Sequence, residues 1–194
     1  MRFLKKLFTI TSKADKEIEK EEVHLFLDNL FVHNFIKKGG KFLYCQEKKE
    51  VVEHIKSILS ENNWNKILVT NTKLLPFLNE KEIKVASEFK KSIPFFTTCE
   101  HLIADNGEIL FSSNQLNVKK LSDFPENFIT YATTSQLVKN IGKGLSGIKA
   151  NSKHFIPSNI SSIKSYEINK KDDIFLNCGN SNTKNLYLLL LEDL

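Results

Sequence analysis

Arginine is all but missing from this sequence. Arg2 is the only one among 28 basic residues, and the rest are lysines. Lysine supplies hydrated point charges, whereas base edges and phosphates are read best by the planar guanidinium fork. The formal net charge of +5 therefore reads as a solvated surface, and specific nucleic-acid binding is not expected. Cysteine is sparse too. Cys45, Cys99 and Cys178 are an odd, widely spaced set with no C-x-x-C. That argues against an iron–sulfur motif or a disulfide framework and fits reduced cytoplasmic thiols.

Other absences narrow the field further. No run approaches the ~20 apolar residues of a membrane-spanning helix. The start, Met1 to Phe8, is interrupted too often by charge for a signal sequence, and 1–14 is expected to be a mobile basic arm. There is no G-x-G-x-x-G, no Walker loop and no G-x-S-x-G elbow. Dehydrogenases, nucleoside triphosphatases and serine hydrolases of familiar type are therefore not indicated. Cys99 and His101 could begin a metal site, but zinc wants three or four such ligands and the other histidines, His24, His33, His54 and His154, are scattered. No metal is expected.

What is present is a core. An apolar fraction of 41% with 15 phenylalanines is ample for one, and no Pro/Gly/Ser-rich linker or fixed-period repeat divides the chain. A single α/β domain is expected over 15–194. Val23, Phe26, Leu27, Leu30, Phe31 and Phe35 recur at helical spacing, and Lys37-Lys38 before Gly39-Gly40 supply a stop. The spacing predicts an N-terminal helix over 15–38. Strands are expected at Lys41–Cys45, Lys66–Thr70 and Glu82–Ala86. Between them lie a helix over Glu47–Leu59 and a short one capped by Asn71 and Thr72. Asp105-Asn106-Gly107 between apolar runs predicts a hairpin of Leu102–Ala104 with Glu108–Phe111. Phe128–Ala132, Asp173–Cys178 and Leu186–Leu191 read as further strands. Thr133-Thr134-Ser135 is expected to cap a helix from Gln136 to about Leu145, with Gly142-Lys143-Gly144 closing it. The pattern predicts a three-layer, Rossmann-like α/β fold. Its sheet is mostly parallel and flanked by helices, with a mid-chain hairpin and an N-terminal helical extension.

Ligands of open α/β sheets collect where strand ends lead into helix N-termini. Asn71-Thr72 and Thr133-Thr134-Ser135 offer hydroxyl or amide groups beside free N–H donors there, as capping residues also do. The loop Gly179-Asn180-Ser181-Asn182-Thr183-Lys184-Asn185 adds glycine and a cation and suits an anionic ligand. Asp105 is the candidate for nucleophilic or acid–base work, because a carboxylate before a tight turn can be held rigidly. Aspartate is equally a favoured turn-former. Glu100 and Glu108 are weaker candidates, placed on the outer faces of short strands.

Three segments resemble the LUD-domain family, the lactate-utilisation group of small bacterial proteins. Members carry an A-E-T-G-T-like turn, then a strand after a proline, then G-P-S-x-T-A-D before a final strand. Ala104-Asp105-Asn106-Gly107-Glu108-Ile109 is similar to the first, matching at Ala104 and Gly107. Pro125 with Phe128–Ala132 is similar to the second. Gly179-Asn180-Ser181-Asn182-Thr183 is similar to the third, matching at Gly179, Ser181 and Thr183. Asn180 replaces the proline, Lys184-Asn185 replaces Ala-Asp, and a G-x-H-G-P element is absent.

The resemblance implies a fold like that of ribose-5-phosphate isomerase, glucosamine-6-phosphate deaminase and the CoA transferases. It also places Gly107 near a ligand. In class I CoA transferases a glutamate of an E-N-G turn attacks the thioester, and Asp105-Asn106-Gly107 looks like that turn shortened by one methylene. The function implied is an accessory protein of lactate or organic-acid utilisation, binding a small anion or an iron–sulfur redox partner protein. The alternatives are a CoA-thioester or sugar-phosphate enzyme, and a structural module that forms a homodimer. The cofactor is unknown; no covalently bound group is expected and no iron–sulfur motif is present.

Overall fold

The computed structural model describes residues 26–78, 83–152, 156–167 and 182–193. Its centre is a six-stranded parallel sheet. Helix α1 (26–37) leads through Gly39 and Gly40 into β1 (Lys41–Cys45), followed by α2 (Lys48–Glu61) and β2 (Lys66–Val69). A 3-10 helix at Thr72–Phe77 precedes β3 (Lys84–Ala86) and β4 (Phe95–Thr98). The hairpin β5 (His101–Ile103) and β6 (Glu108–Phe111) comes next, then the short helix α3 (Ser113–Leu116). After it come β7 (Asn127–Thr133), β8 (Leu137–Val138), α4 (Ile141–Asn151), β9 (Ser161–Ile163) and β10 (Asn185–Leu191).

The main sheet runs β1-β10-β7-β4-β2-β3, every pair parallel. Along β10 the side chains alternate between two cores. Leu186, Leu188 and Leu190 join Phe31, Phe35, Phe111 and Phe128 on the face covered by α1 and the hairpin. Tyr187, Leu189 and Leu191 join Val51, Ile55, Ile58 and Leu74 on the face covered by α2 and the 3-10 helix. This is why the leucine-rich run forms a strand despite leucine's helical preference. A strand buried on both faces needs apolar residues without alternation, and each buried leucine contributes about 2 kcal/mol. The expected three-layer α/β class is the one observed.

The hairpin does not extend the main sheet. It belongs to a second sheet, β8-β5-β6-β9, with β5 and β6 antiparallel and Ile103 opposite Glu108. Helix α4 covers the outside of that sheet, where Ile148 packs with Ile103 and Leu110.

Two expectations are corrected. No helix starts at Gln136. Thr134–Gln136 is one 3-10 turn, and Leu137–Val138 then pairs with β5. The helix begins later, at Ile141, capped by the Asn140 side chain, which accepts from the Lys143 N–H at 3.0 Å. Gly142-Lys143-Gly144 therefore opens α4 instead of closing a helix. Glycine is a poor helix former, but a side chain at Gly144 would come within 3.2 Å of Ile103 Cδ1, so close packing on the second sheet favours it. Strand β4 was not expected at all. Phe95, Phe96 and Thr97 are buried between β2 and β7, so they form a central strand. The expected strand at Asp173–Cys178, the arm 1–14 and the start of the N-terminal helix lie outside the described residues.

Candidate functional site

At the carboxyl end of β7 the chain builds a seat for a carboxylate. Register places Leu191 of β10 beside Thr133 of β7, so the residues after β10 pass over the end of β7. The Glu192 N–H donates to Cys45 O at 2.9 Å, tying this segment to β1 as well. Asp193 then turns its carboxylate onto the Thr134–Gln136 turn. Oδ1 accepts from the Thr134 hydroxyl at 2.7 Å and from the Ser135 N–H at 2.9 Å. Oδ2 accepts from the Ser135 hydroxyl at 2.7 Å. Burial alone would raise the Asp193 pKa. The hydrogen bonds from Ser135, Thr134 and Thr133 outweigh it and hold the carboxyl down at about 2.

The seat is fixed from behind. Gln136 accepts from the Thr133 N–H at 2.8 Å, and its amide donates to Cys99 O at 2.6 Å and Glu100 O at 3.2 Å. One side chain thus links the end of β7 to the segment leaving β4. Glu100 in turn accepts from Ser112 at 2.5 Å, Asn114 at 2.8 Å and Gln115 at 3.2 Å. Its carboxylate organises the start of α3. Tyr131, on the opposite face of β7 from Thr130, packs its ring 4.9 Å from Phe77, and burial, then Asp193 and Cys45, push its phenol up. Tyr44 is at about 12, raised first by its hydrogen bond to Glu192.

Topology singles out the same edge. From β2 the chain moves outward to β3, whereas from β4 it moves inward to β7, so the direction of progress reverses between these neighbours. Ligands of open α/β sheets bind in the crevice outside such a reversal. Asn71, at the end of β2, accepts from the Lys73 N–H at 3.0 Å and so serves the 3-10 helix as a cap.

The remaining sequence candidates are placed elsewhere. Asp105 and Gly107 form the hairpin tip, beside the end of α1. Asn34 Nδ2 donates to Ala104 O at 2.9 Å and Asp105 O at 3.2 Å. The Tyr166 hydroxyl donates to Gly107 O at 2.7 Å, while its N–H donates to Lys38 O at 2.9 Å, just ahead of β1. The tip therefore sits at the amino edge of the main sheet, whereas Thr133 lies at the carboxyl end of β7. Gly107 has φ +68°, and a Cβ there would come within 2.5 Å of the Phe35 nitrogen, so only glycine fits.

Thr183 and Lys184 lie at the same amino edge, just before β10, with Thr183 bridged to Ser165 next to Tyr166. Lys184 is buried, donates to Phe124 O at 3.0 Å and lies over the Phe128 ring. Gly179, Asn180 and Ser181 lie outside the described residues.

Asp105 has one neighbour that the sequence reading missed. Its N–H donates to Lys139 O at 3.0 Å, which puts the turn beside Asn140 and the first turn of α4. A helix N-terminus presents unpaired N–H groups and partial positive charge. Glu108, expected on an outer face, is buried with its strand between β5 and β9. His101 Nδ1 lies 3.2 Å from Gln136 O, and among the described residues no group of three His, Cys, Asp or Glu side chains is arranged to hold a metal. No described helix is long and apolar enough to cross a membrane.

Asp193, Gln136 and Tyr166 were not foreseen as site residues. Asp193 and Tyr166 act through partners far away in sequence, whereas Gln136 carries a local signal that went unread, the Thr133-x-x-Gln136 spacing of a capping box.

Comparison with known proteins agrees with this architecture. No curated protein matches significantly. The crystal structure of a DUF162 family protein from Deinococcus radiodurans superposes with a TM-score of 0.60, covering 88% of this chain and 98% of that one. At 11% identity it supports the fold alone. The family model described as LUD domain matches residues 29–191, most of the chain, and the protein thus belongs to the LUD domain family.

Proposed function

We propose that this LUD-domain protein is a cytoplasmic accessory protein of lactate or related organic-acid utilisation that binds a small carboxylate at the carboxyl ends of β7 and β10. The observation that carries the reading is the donor set itself. The Thr134 hydroxyl, the Ser135 hydroxyl and the Ser135 N–H already bind a carboxylate, that of Asp193, at 2.7–2.9 Å. Groups preorganised for one carboxylate suit another of similar size. The cysteines form no iron–sulfur motif, so an oxidation would pass its electrons to a partner protein that carries the cluster.

The test is a thermal-shift titration with L-lactate, pyruvate, acetate and inorganic phosphate, on the parent chain and on Asp193→Ala. A ligand at 100 times its dissociation constant stabilises the fold by about 2.7 kcal/mol. Small carboxylates should bind Asp193→Ala more tightly than the parent, and Ser135→Ala should weaken them. Absence of any carboxylate response in Asp193→Ala sinks the reading. Growth on lactate unaffected by deletion of the gene would remove the metabolic assignment.

A second reading has its own support. Asp105 is exposed at a turn pinned by Asn34 and Lys139, beside the N-terminus of α4. In a CoA-thioester enzyme its carboxylate would attack the thioester carbonyl and release the CoA thiolate. The helix end would face an anionic group of the substrate. Incubation with acyl-CoA followed by hydroxylamine should then label Asp105, and Asp105→Ala should abolish labelling. Equal labelling of parent and variant rules this chemistry out.

A further inference from the structure

The main sheet ends in two edge strands, and they are built differently. Strand β3 is three residues long and opens with Lys84, the short, charged form in which edges resist pairing. Strand β1 is longer, keeps regular register with β10, and carries neither charge nor proline from Phe42 to Cys45.

One hydrogen bond fixes which backbone groups of β1 point outward. The Glu192 N–H donates to Cys45 O at 2.9 Å, and in a parallel pair a residue turns its N–H and C=O to the same neighbour. Cys45, Leu43 and Lys41 therefore bond to β10, while Phe42 and Tyr44 turn their backbone groups away from it. The next outward donors on either side are already used. The Gly40 N–H donates to Phe35 O at 3.0 Å, and the Gln46 N–H donates to Glu50 Oε2 at 2.6 Å. Among the described residues, the outer edge of β1 thus offers the N–H and C=O of Phe42 and Tyr44, placed symmetrically about Leu43.

That symmetry names the occupant. We propose that the β1 edges of two copies of this chain pair antiparallel across a two-fold axis at Leu43, joining their sheets into one. Phe42 of each copy exchanges both backbone hydrogen bonds with Tyr44 of the other, so every outward group of both edges is met. A slip to either side sets an outward C=O against the Gly40 or Gln46 N–H, which is already bonded.

The side chains fit the same register. Tyr44, 44% exposed, meets Phe42 across the strands, an aromatic pair on the face that α1 covers. On the face that α2 covers, Lys41 lies diagonal to Glu47 of the second copy, and both are exposed. Lys41 donates to Tyr187 OH at 3.0 Å, and its ammonium has further protons to offer. The other lysines near the edge stay apart. Lys37 and Lys38 end α1 on one face of the joined sheet, whereas Lys48 and Lys49 open α2 on the other. A short paired edge is a small interface, so the dimer should be reversible and not permanent.

Sedimentation of the full chain across the micromolar range should show monomer and dimer in exchange. Amide hydrogen exchange on the same samples should slow with concentration at Phe42 and Tyr44 and stay constant at Leu43, which β10 already holds. Tyr44→Pro removes an outward N–H that β10 does not use, and edge strands accept proline at such places. It should weaken the dimer at least tenfold, because each copy loses a hydrogen bond. Lys41→Glu and Glu47→Lys should each weaken the dimer, and the two together should restore it, which damage to the fold would not do. A chain that stays monomeric, a dimer indifferent to Tyr44→Pro, or a charge swap that restores nothing would overturn the proposal. So would Phe42 and Tyr44 amides already protected in the dilute monomer, because a segment of the same chain would then fill the edge.

Discussion

Ser135 grips Asp193 twice, the N–H binding Oδ1 at 2.9 Å and the hydroxyl binding Oδ2 at 2.7 Å. The two residues are 58 positions apart, so this pair closes the end of β10 over the end of β7. Its strength depends on charge. The Asp193 carboxyl is held near 2 in the folded chain, below its ordinary value of 3.8. A depressed carboxyl stabilises the fold above its unfolded value and loses that contribution as pH falls through the folded one. Acid unfolding followed by circular dichroism should therefore show a component between about pH 4 and pH 2 that Asp193→Asn lacks. At pH 7 the same variant should cost about 1 kcal/mol.

Gly107 should tolerate no side chain. Alanine would adopt φ +68° at a cost and would press its Cβ against the backbone of Asn34 and Phe35. Gly107→Ala should lose roughly 3 kcal/mol in urea unfolding, more than the usual cost of a surface alanine. Because the turn also fixes Asp105, the Asp105-dependent labelling expected under the second reading should fall in parallel.

Thr130 points the other way. Its hydroxyl is fully buried at the centre of β7 and has no hydrogen-bond partner among the described residues. A buried donor left unmet costs free energy, and valine keeps the shape without the hydroxyl. Thr130→Val should raise stability by about 1 kcal/mol, read as a higher denaturant midpoint with an unchanged slope.

Lys184 also makes stability rise with pH, as Asp193 does, but in an alkaline window and because burial penalises its charged form. Burial lowers its pKa to about 8, with Lys91 adding to the shift and Glu126 and Asp123 opposing it. Between about pH 8 and the ordinary value of 10.5 the unfolded chain binds the proton and the folded chain does not, so this group makes stability rise with pH across that window. Lys184→Met should flatten that rise relative to the parent. Equal slopes in the two proteins would mean that the amine stays charged when buried.

These residues also show what could be read from sequence and what could not. The hairpin was legible because an Asx-Gly turn between apolar runs is a local signal, and Gly107 indeed takes positive φ. The β10 strand was legible because an apolar residue at every position from Leu186 to Leu191 suits a strand buried on both sides. The segment after β7 misled for a physical reason. Thr133-Thr134-Ser135 carries the chemistry of a helix cap, and Gly142-Lys143-Gly144 that of a helix end. Packing reverses both, since β8 gains a partner in β5 and the glycines let α4 approach Ile103. Strand β4 was hidden behind Lys90-Lys91-Ser92 and Pro94, which look like loop. The carboxylate seat was half legible: its hydroxyls were marked, but nothing near them announces that Asp193 fills it.

The position of β10 has one more consequence, for the timing of folding. It lies between β1 and β7, so the first strand of the sheet has no neighbour until Asn185–Leu191 arrives. During vectorial synthesis the sheet remains in two parts, with β1 and α2 waiting on one side and β7-β4-β2-β3 on the other. The final strand enters as a wedge and joins them. A chain stalled before residue 185 therefore exposes two open sheet edges, each a template for pairing with the wrong molecule.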